Sequence, residues 1–217
     1  MSLLAMGLYL VVGAAAGLLA GLLGVGGGLV IVAALAWLLP TQGVPAAAVM
    51  HVALATSLAS ILATSLSSTR AHLRRGAVMW PTVRALVPGL LLGGVLGALL
   101  ADRLSDLVLR LGVAGFCLAA AVQLATRRPP PEGDAGSVPR GAGLTAWGGV
   151  IGVVSALVGI GGGSLTVPLL IHRGAVPVRA VGSSAACGFA IALASAAGYA
   201  WGGRDAAGLP AGSWGYV

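Results

Sequence analysis

Apolar and polar positions in this chain fall in long blocks, not in the alternation of strands or the one-sided stripe of a soluble amphipathic helix. Apolar runs of about 20 residues, the length that crosses a hydrocarbon core of about 30 Å, occupy 3–22, 46–69, 82–101, 106–125 and 178–201. Charged residues collect between them. The pattern predicts an all-α, polytopic membrane protein. The first run carries small residues at Ala14, Ala15 and Ala16, as a cleaved signal would, but no Lys or Arg precedes it, so the basic flank of a signal peptide is missing. Its sequence also recurs deep inside the chain, and it reads as a membrane segment.

The recurrence is the strongest internal pattern. "GLLGVGGGLVIV", Gly21 to Val32, is echoed by "ALVGIGGGSLTV", Ala156 to Val167, and "LATSL", Leu54 to Leu58, by "VGSSA", Val181 to Ala185. Such self-similarity marks duplicated membrane transporters. The organisation expected is a first transmembrane repeat over 1–125, a cytoplasmic linker over 126–143 rich in Pro and Gly, and a second repeat over 144–217. Counterparts of the helices 82–101 and 106–125 do not follow the second repeat within this sequence, which makes that repeat incomplete.

Composition agrees with a lipid environment. Of 217 residues 58% are hydrophobic and 8% charged, against about 25% charged in soluble domains, and the mean hydropathy is +1.02. The net charge of +7 comes from Arg alone. Because these residues lie between apolar runs, they act as topology signals and not as a nucleic-acid footprint. Arg70, Arg74 and Arg75, then Arg127, Arg128 and Arg140, then Arg173 and Arg179 form three basic clusters. Placing all three inside makes the repeats inverted; a parallel repeat would put Arg173 and Arg179 outside. The inverted arrangement requires each glycine-bearing segment, 3–39 and 142–171, to leave and return to one side as two half-length helices. A continuous helix of 37 residues would be about 55 Å long, too long for one span.

A run such as "GVGGG" does not hold a helix, and irregular backbone at membrane depth survives only when buried in protein or lining a wet cavity. A helix restarting after it offers free N–H groups and the positive end of a dipole, which attract anions. Gly24, Gly26, Gly27 and Gly28 in the first break, and Gly159, Gly161, Gly162 and Gly163 in the second, are therefore candidate substrate-binding positions. Gly13, Gly17 and Gly21, and again Gly89, Gly93 and Gly97, have the spacing of helix-packing seams instead.

Hydroxyls lie nearby. Ser155, Ser164 and Thr166 flank the second break, and Thr56, Ser57, Ser183 and Ser184 occupy matched places in the following spans. They can donate to an anion or bond back to their own helix carbonyls. His51 is the candidate for proton coupling, with an interfacial histidine as the plainer reading. Apart from Asp106 at the edge of the fourth, no acidic residue lies in an apolar run, which disfavours a carboxylate relay or a sodium cage. Cys117 and Cys187 read as small buried hydrophobes. No metal site and no cofactor are expected. An enzyme is disfavoured because His51, His72 and His172 have no motif spacing, and a nucleotide loop because "GVGGG" lacks the following Lys.

The paired glycine-rich segments, each trailed by a Thr-Ser or Ser-Ser pair as in "ATSL" and "GSSA", resemble the sulfite exporter TauE/SafE family of bacterial membrane permeases. The resemblance covers almost the whole chain. It departs at Ala33, where the family pattern favours proline and the second repeat keeps Pro168. The resemblance implies a multi-pass protein of the bacterial cytoplasmic membrane that moves a small sulfur-containing anion (sulfite, thiosulfate or an organosulfonate), often outward. The expected partners are that anion and the lipid bilayer, with no nucleic acid; a homo-oligomer is left open. The alternative is a non-transporting subunit or scaffold acting with a partner permease.

Overall fold

A computed structural model describes Gly7, Val11, Gly13, Ala14, Gly17, residues 27–126, Gly141, residues 143–205 and residues 214–217. All regular structure among these residues is helical: α1 Gly28–Leu38, α2 Val49–Arg74, α3 Trp80–Asp102, α4 Asp106–Ala125, α5 Gly143–Val158, α6 Gly163–His172 and α7 Pro177–Gly202, with 3-10 turns at Leu39–Gln42 and Gly203–Asp205. Four helices, α2, α3, α4 and α7, are long and apolar enough to cross a membrane, and they occupy four of the five apolar runs. Most of the fifth, 3–22, lies outside the described residues, as does most of the linker.

Local chemistry explains the helix ends. The chain after α1 turns through Pro40 and stops at Gly43, which holds φ 81°, and α2 ends before Gly76 at φ 64°. Both take the left-handed conformation that glycine adopts at no steric cost. Helices α3 and α7 begin with Pro in the first turn, where the missing N–H is not needed. Asp106 opens α4, and its carboxylate accepts the Met50 N–H at 2.7 Å and the Arg110 guanidinium at 2.9 Å.

Two apolar cores fix the direction of each helix. One gathers Val78 and Met79 before and at the start of α3, Leu144 at the start of α5, Leu170 near the end of α6 and Ala180 near the start of α7. The other gathers Leu35 and Leu39 from the end of α1, Val49 and Met50 from the start of α2, Ala98 and Ala101 from the end of α3, and Tyr199 from the end of α7. The first core is the arginine-rich end, bounded by Arg70, Arg74 and Arg75 and by Arg173 and Arg179. From it α3, α5 and α7 rise together, while α2 descends to it.

Helix α5 leaves the arginine-rich end and α6 returns to it, so the second glycine-bearing segment is a hairpin of two short helices. Helix α1 runs the other way, from Gly27 to the opposite end. The first half of the hairpin expected over 3–39 falls in residues 1–26, of which only the five isolated positions are described.

Close backbone approach holds α5 in place. It lies along α3 in the most extensive contact of the fold, and glycines on both helices create it. A Cβ at Gly89 or Gly93 would overlap the Thr145 or Gly149 carbonyl, and one at Gly97 would stand 2.7 Å from the Val153 carbonyl; those at Gly148 and Gly152 would come 2.5 and 2.6 Å from the Leu86 and Leu90 carbonyls. The packing expected of Gly89, Gly93 and Gly97 is found here. Gly13 and Gly17 meet nothing within 4 Å among the described residues, so the packing expected of them is not made within this described part; Gly21 lies outside it. Helix α4 is peripheral, with 11% of its span buried against 61% for α2 and 67% for α7.

Candidate functional site

The second break, Gly159 to Gly162, is wedged between the middles of α2 and α7. Gly159 and Gly162 both hold φ 74°, a left-handed conformation that costs an L-residue about 1–2 kcal/mol. Space is as restrictive as conformation. A Cβ on Gly159 would come 2.7 Å from Val32 Cγ2 and 2.8 Å from Leu54 Cδ2, and one on Gly161 would come 2.9 Å from Ile61 Cγ2. On the other side Gly188 of α7 admits the Gly161 carbonyl, 2.8 Å from where its own Cβ would stand.

The two glycine segments touch. A Cβ on Gly28 would be 2.5 Å from the Gly159 carbonyl oxygen and 3.2 Å from Ile160 Cα. Ser57 of α2 ties them together: its hydroxyl donates toward the Gly159 carbonyl at 2.8 Å and the Gly28 carbonyl at 3.2 Å. A hydroxyl carries one proton, so the two carbonyls share it. Gly27 precedes α1 with right-handed backbone, φ −65°, unlike its counterpart Gly162. Gly24 and Gly26 lie outside the described residues.

Polar capacity is left open on the α6 side of the second break. Ser155 and Thr166 are fully buried, and neither hydroxyl has a hydrogen-bond partner. Both face Gly162: a Cβ there would stand 3.5 Å from Thr166 Oγ1 and 3.6 Å from Ser155 Oγ. Gly162 is also the residue from which α6 starts, so the hydroxyls lie where that helix presents its first N–H groups. An unpartnered buried hydroxyl costs about 1–3 kcal/mol. Two at one helix N-terminus form a place prepared for an acceptor-rich guest. Ser195 of α7 is a third fully buried hydroxyl without a partner, one turn beyond the Ile191 that closes over Gly162.

The remaining sequence candidates are distributed unevenly. Gly163 opens α6 with only Ser184 Oγ near its Cβ position, at 3.9 Å, although Ser184 donates back to the Val181 carbonyl at 3.0 Å. Ser164 is half-buried in the first turn of α6. Thr56 is half-buried on α2 beside Ser57, about 100° around the helix from it. Ser183 is not at the break: its hydroxyl accepts the Met79 N–H at 2.8 Å and caps the start of α3 at the arginine-rich end. His51 is not there either. It is buried about 9 Å above Ser57, toward the start of α2, its Nε2 3.0 Å from the Ala101 carbonyl and its ring stacked on Tyr216 with centroids 4.9 Å apart. Among the described residues no three His, Cys, Asp or Glu side chains come together as a metal site would require.

Ser155 was visible in sequence as a flanking hydroxyl, but Ser195 carried no signal, being a lone serine in an alanine-rich span. Within α2, Ser60, Thr64 and Ser65 donate to carbonyls three or four residues back. That is the ordinary fate of such groups and sets Ser57, Ser155 and Thr166 apart.

Comparison with known proteins agrees with this architecture. A relative from Haemophilus influenzae (strain ATCC 51907 / DSM 11121 / KW20 / Rd), described as a probable membrane transporter protein, is 37% identical over 186 residues, covering 86% of this chain and 70% of its own length. No solved structure matches the chain. Residues 9–215 match the family described as Sulfite exporter TauE/SafE, and the chain therefore belongs to that family of membrane transporters.

Proposed function

We propose that this chain exports a small sulfur-containing anion, such as sulfite, thiosulfate or an organosulfonate, across the bacterial cytoplasmic membrane. The anion is held at the second break by Ser155, Thr166 and the first N–H groups of α6. One observation carries this reading: two fully buried hydroxyls without partners face the left-handed glycine from which a half-length helix starts. The dipole favours negative charge, the hydroxyls supply donors, and the surrounding Ile191 and Ile61 exclude competing water.

In this reading the repeats are inverted and access alternates by rocking one unit against the other. Supporting it, α2 and α7 run antiparallel, and α1 and α6 leave the glycine segments toward opposite ends. Ser57 lies on the seam, its proton shared between the two units, so a relative displacement would break one of its bonds. His51, with Nδ1 unpartnered, is the candidate proton carrier, on the same helix as the bridging Ser57 and about 9 Å along it.

Sulfite flux from proteoliposomes containing the purified chain tests the reading. Hydrogen bonds to charged groups contribute about 1.5–3 kcal/mol each, so Ser155→Ala or Thr166→Val lowers apparent sulfite affinity by about 10- to 100-fold. Unchanged flux and affinity in the double variant would remove the anion from this break. No flux from the intact chain alone, with flux restored by a co-purifying membrane partner, would make it a subunit.

A further inference from the structure

The outer face of α3 carries a groove of about 410 Å³ lined by Trp80, Val83, Arg84, Val87 and Pro88. We infer that this groove binds the headgroup of an anionic phospholipid, with the phosphate on Arg84 and an acyl chain along α3. This inference does not rest on the transport reading.

Charge comes first. Arg84 is exposed and makes no hydrogen bond or ion pair among the described residues. Asp102 and Asp106 lie at the far end of the bundle, where Asp106 already holds Arg110. Arg70, Arg74, Arg75, Arg173 and Arg179 crowd the near end. Basic residues at a membrane face attract anionic lipid, each contributing about 1 kcal/mol.

Depth comes second. Trp80 opens α3 and is 45% exposed, a side chain suited to the headgroup level. Arg84 is one turn, about 6 Å, further in, from where its long side chain reaches back to the interface. Pro88 has no N–H, so the Arg84 carbonyl loses its helical donor. A cation beside a carbonyl that lacks its i+4 donor matches a headgroup that has both a phosphate and a hydroxyl.

The wall comes third. Arg84, Pro88, Leu92 and Leu96 recur every four residues on one outward line, with Leu92 and Leu96 exposed at 67% and 60%. That line is about 18 Å long, comparable with one leaflet of a hydrocarbon core about 30 Å thick. A soluble anion would use none of it. A second copy of the chain with this groove on its two-fold axis would bring the same arginine against its twin.

Native mass spectrometry of the full chain in detergent, with equimolar phosphatidylglycerol and phosphatidylcholine, tests the inference. The wild type retains phosphatidylglycerol preferentially. Arg84→Gln reduces that preference about five-fold, the contribution expected of one arginine, and Arg84→Lys keeps most of it. Equal retention of the two lipids by the wild type, or an unchanged preference in Arg84→Gln, would overturn the inference. So would displacement of the bound lipid by millimolar inorganic phosphate, which would make the ligand a soluble anion. A preference that emerges only in the Glu132→Gln/Asp134→Asn chain would assign Arg84 to the linker instead. Should Arg84→Gln not purify folded, Val87→Trp fills the groove and leaves the guanidinium in place; a retained preference there counts against the site.

Discussion

Gly162 and Gly163 are adjacent, yet alanine at the two positions should have opposite consequences. At Gly162 the backbone holds φ 74°, which costs an L-residue about 1–2 kcal/mol. The new methyl would also overlap Ile191 Cδ1, and driving that side chain off its rotamer costs about 0.5–1.5 kcal/mol. Gly162→Ala should therefore lose about 1.5–3.5 kcal/mol. At Gly163 the backbone is helical and the nearest atom to a Cβ is Ser184 Oγ, at 3.9 Å. Alanine there should stay within about 1 kcal/mol of wild type, on the stabilising side.

Cys187 provides the readout, because it is fully buried and free. In a Cys117→Ser background, which removes the exposed thiol, a thiol-reactive dye added during denaturation in detergent reports unfolding through Cys187. The expected separation between the two variants is about 1.5–4.5 kcal/mol. Unfolding midpoints for the two that agree within about 0.5 kcal/mol, the usual scatter for a neutral substitution, would show that neither the left-handed turn nor the Ile191 contact matters at this break.

Gly93→Ala should destabilise by about 1–3 kcal/mol, because its Cβ overlaps the Gly149 carbonyl in a seam where both backbones must shift; Gly112→Ala on α4, with nothing within 4 Å, should be neutral or stabilising. The dye assay reads both, and equal effects would refute the seam. Ser57→Ala leaves the Gly28 and Gly159 carbonyls without their shared donor, for an expected loss of about 1–3 kcal/mol, whereas Ser60→Ala, which removes only a back-bond within α2, should lose little; comparable losses would deprive Ser57 of its bridging role. Burial, the Asp102 charge and a hydrogen bond to Asp102 hold the Tyr216 phenol above its ordinary value. A folded value above the unfolded one, about 10, stabilises below that pH and is lost as pH rises through the folded value. Alkaline titration should thus destabilise the wild type more than Tyr216→Phe, and superimposable profiles would contradict it.

The helical class and the second broken segment were legible because each has a local cause. Twenty apolar residues in a row have one solvent, and four glycines among the five residues 159–163 leave a helix little to continue on. What resisted reading was pairing across the chain. Ser57 and Ser183 looked alike in sequence, as hydroxyls in matched or adjacent positions. Only the fold distinguishes a serine that spans two glycine segments from one that caps α3 at Met79. The seam glycines show the same limit: Gly13 and Gly17 share the spacing of Gly89 and Gly93, but the spacing names a possible groove and says nothing of which helix fills it. Ser195 lay beyond reach, since nothing in an alanine-rich run tells a bonded hydroxyl from an orphaned one.

The α5–α6 hairpin has a consequence for biogenesis. At 16 and 10 residues, its arms are about 24 and 15 Å long, and neither bridges a hydrocarbon core of about 30 Å. An insertion machinery that releases full-length spans sideways into lipid has no such span to release here. Until α7 emerges from the ribosome, the hairpin can lodge only in the glycine groove of α3, with its polar elbow still uncovered on the α7 side. The heart of the molecule is thus sealed only once α7 has been made, and damage to the groove should first appear as chains degraded during insertion.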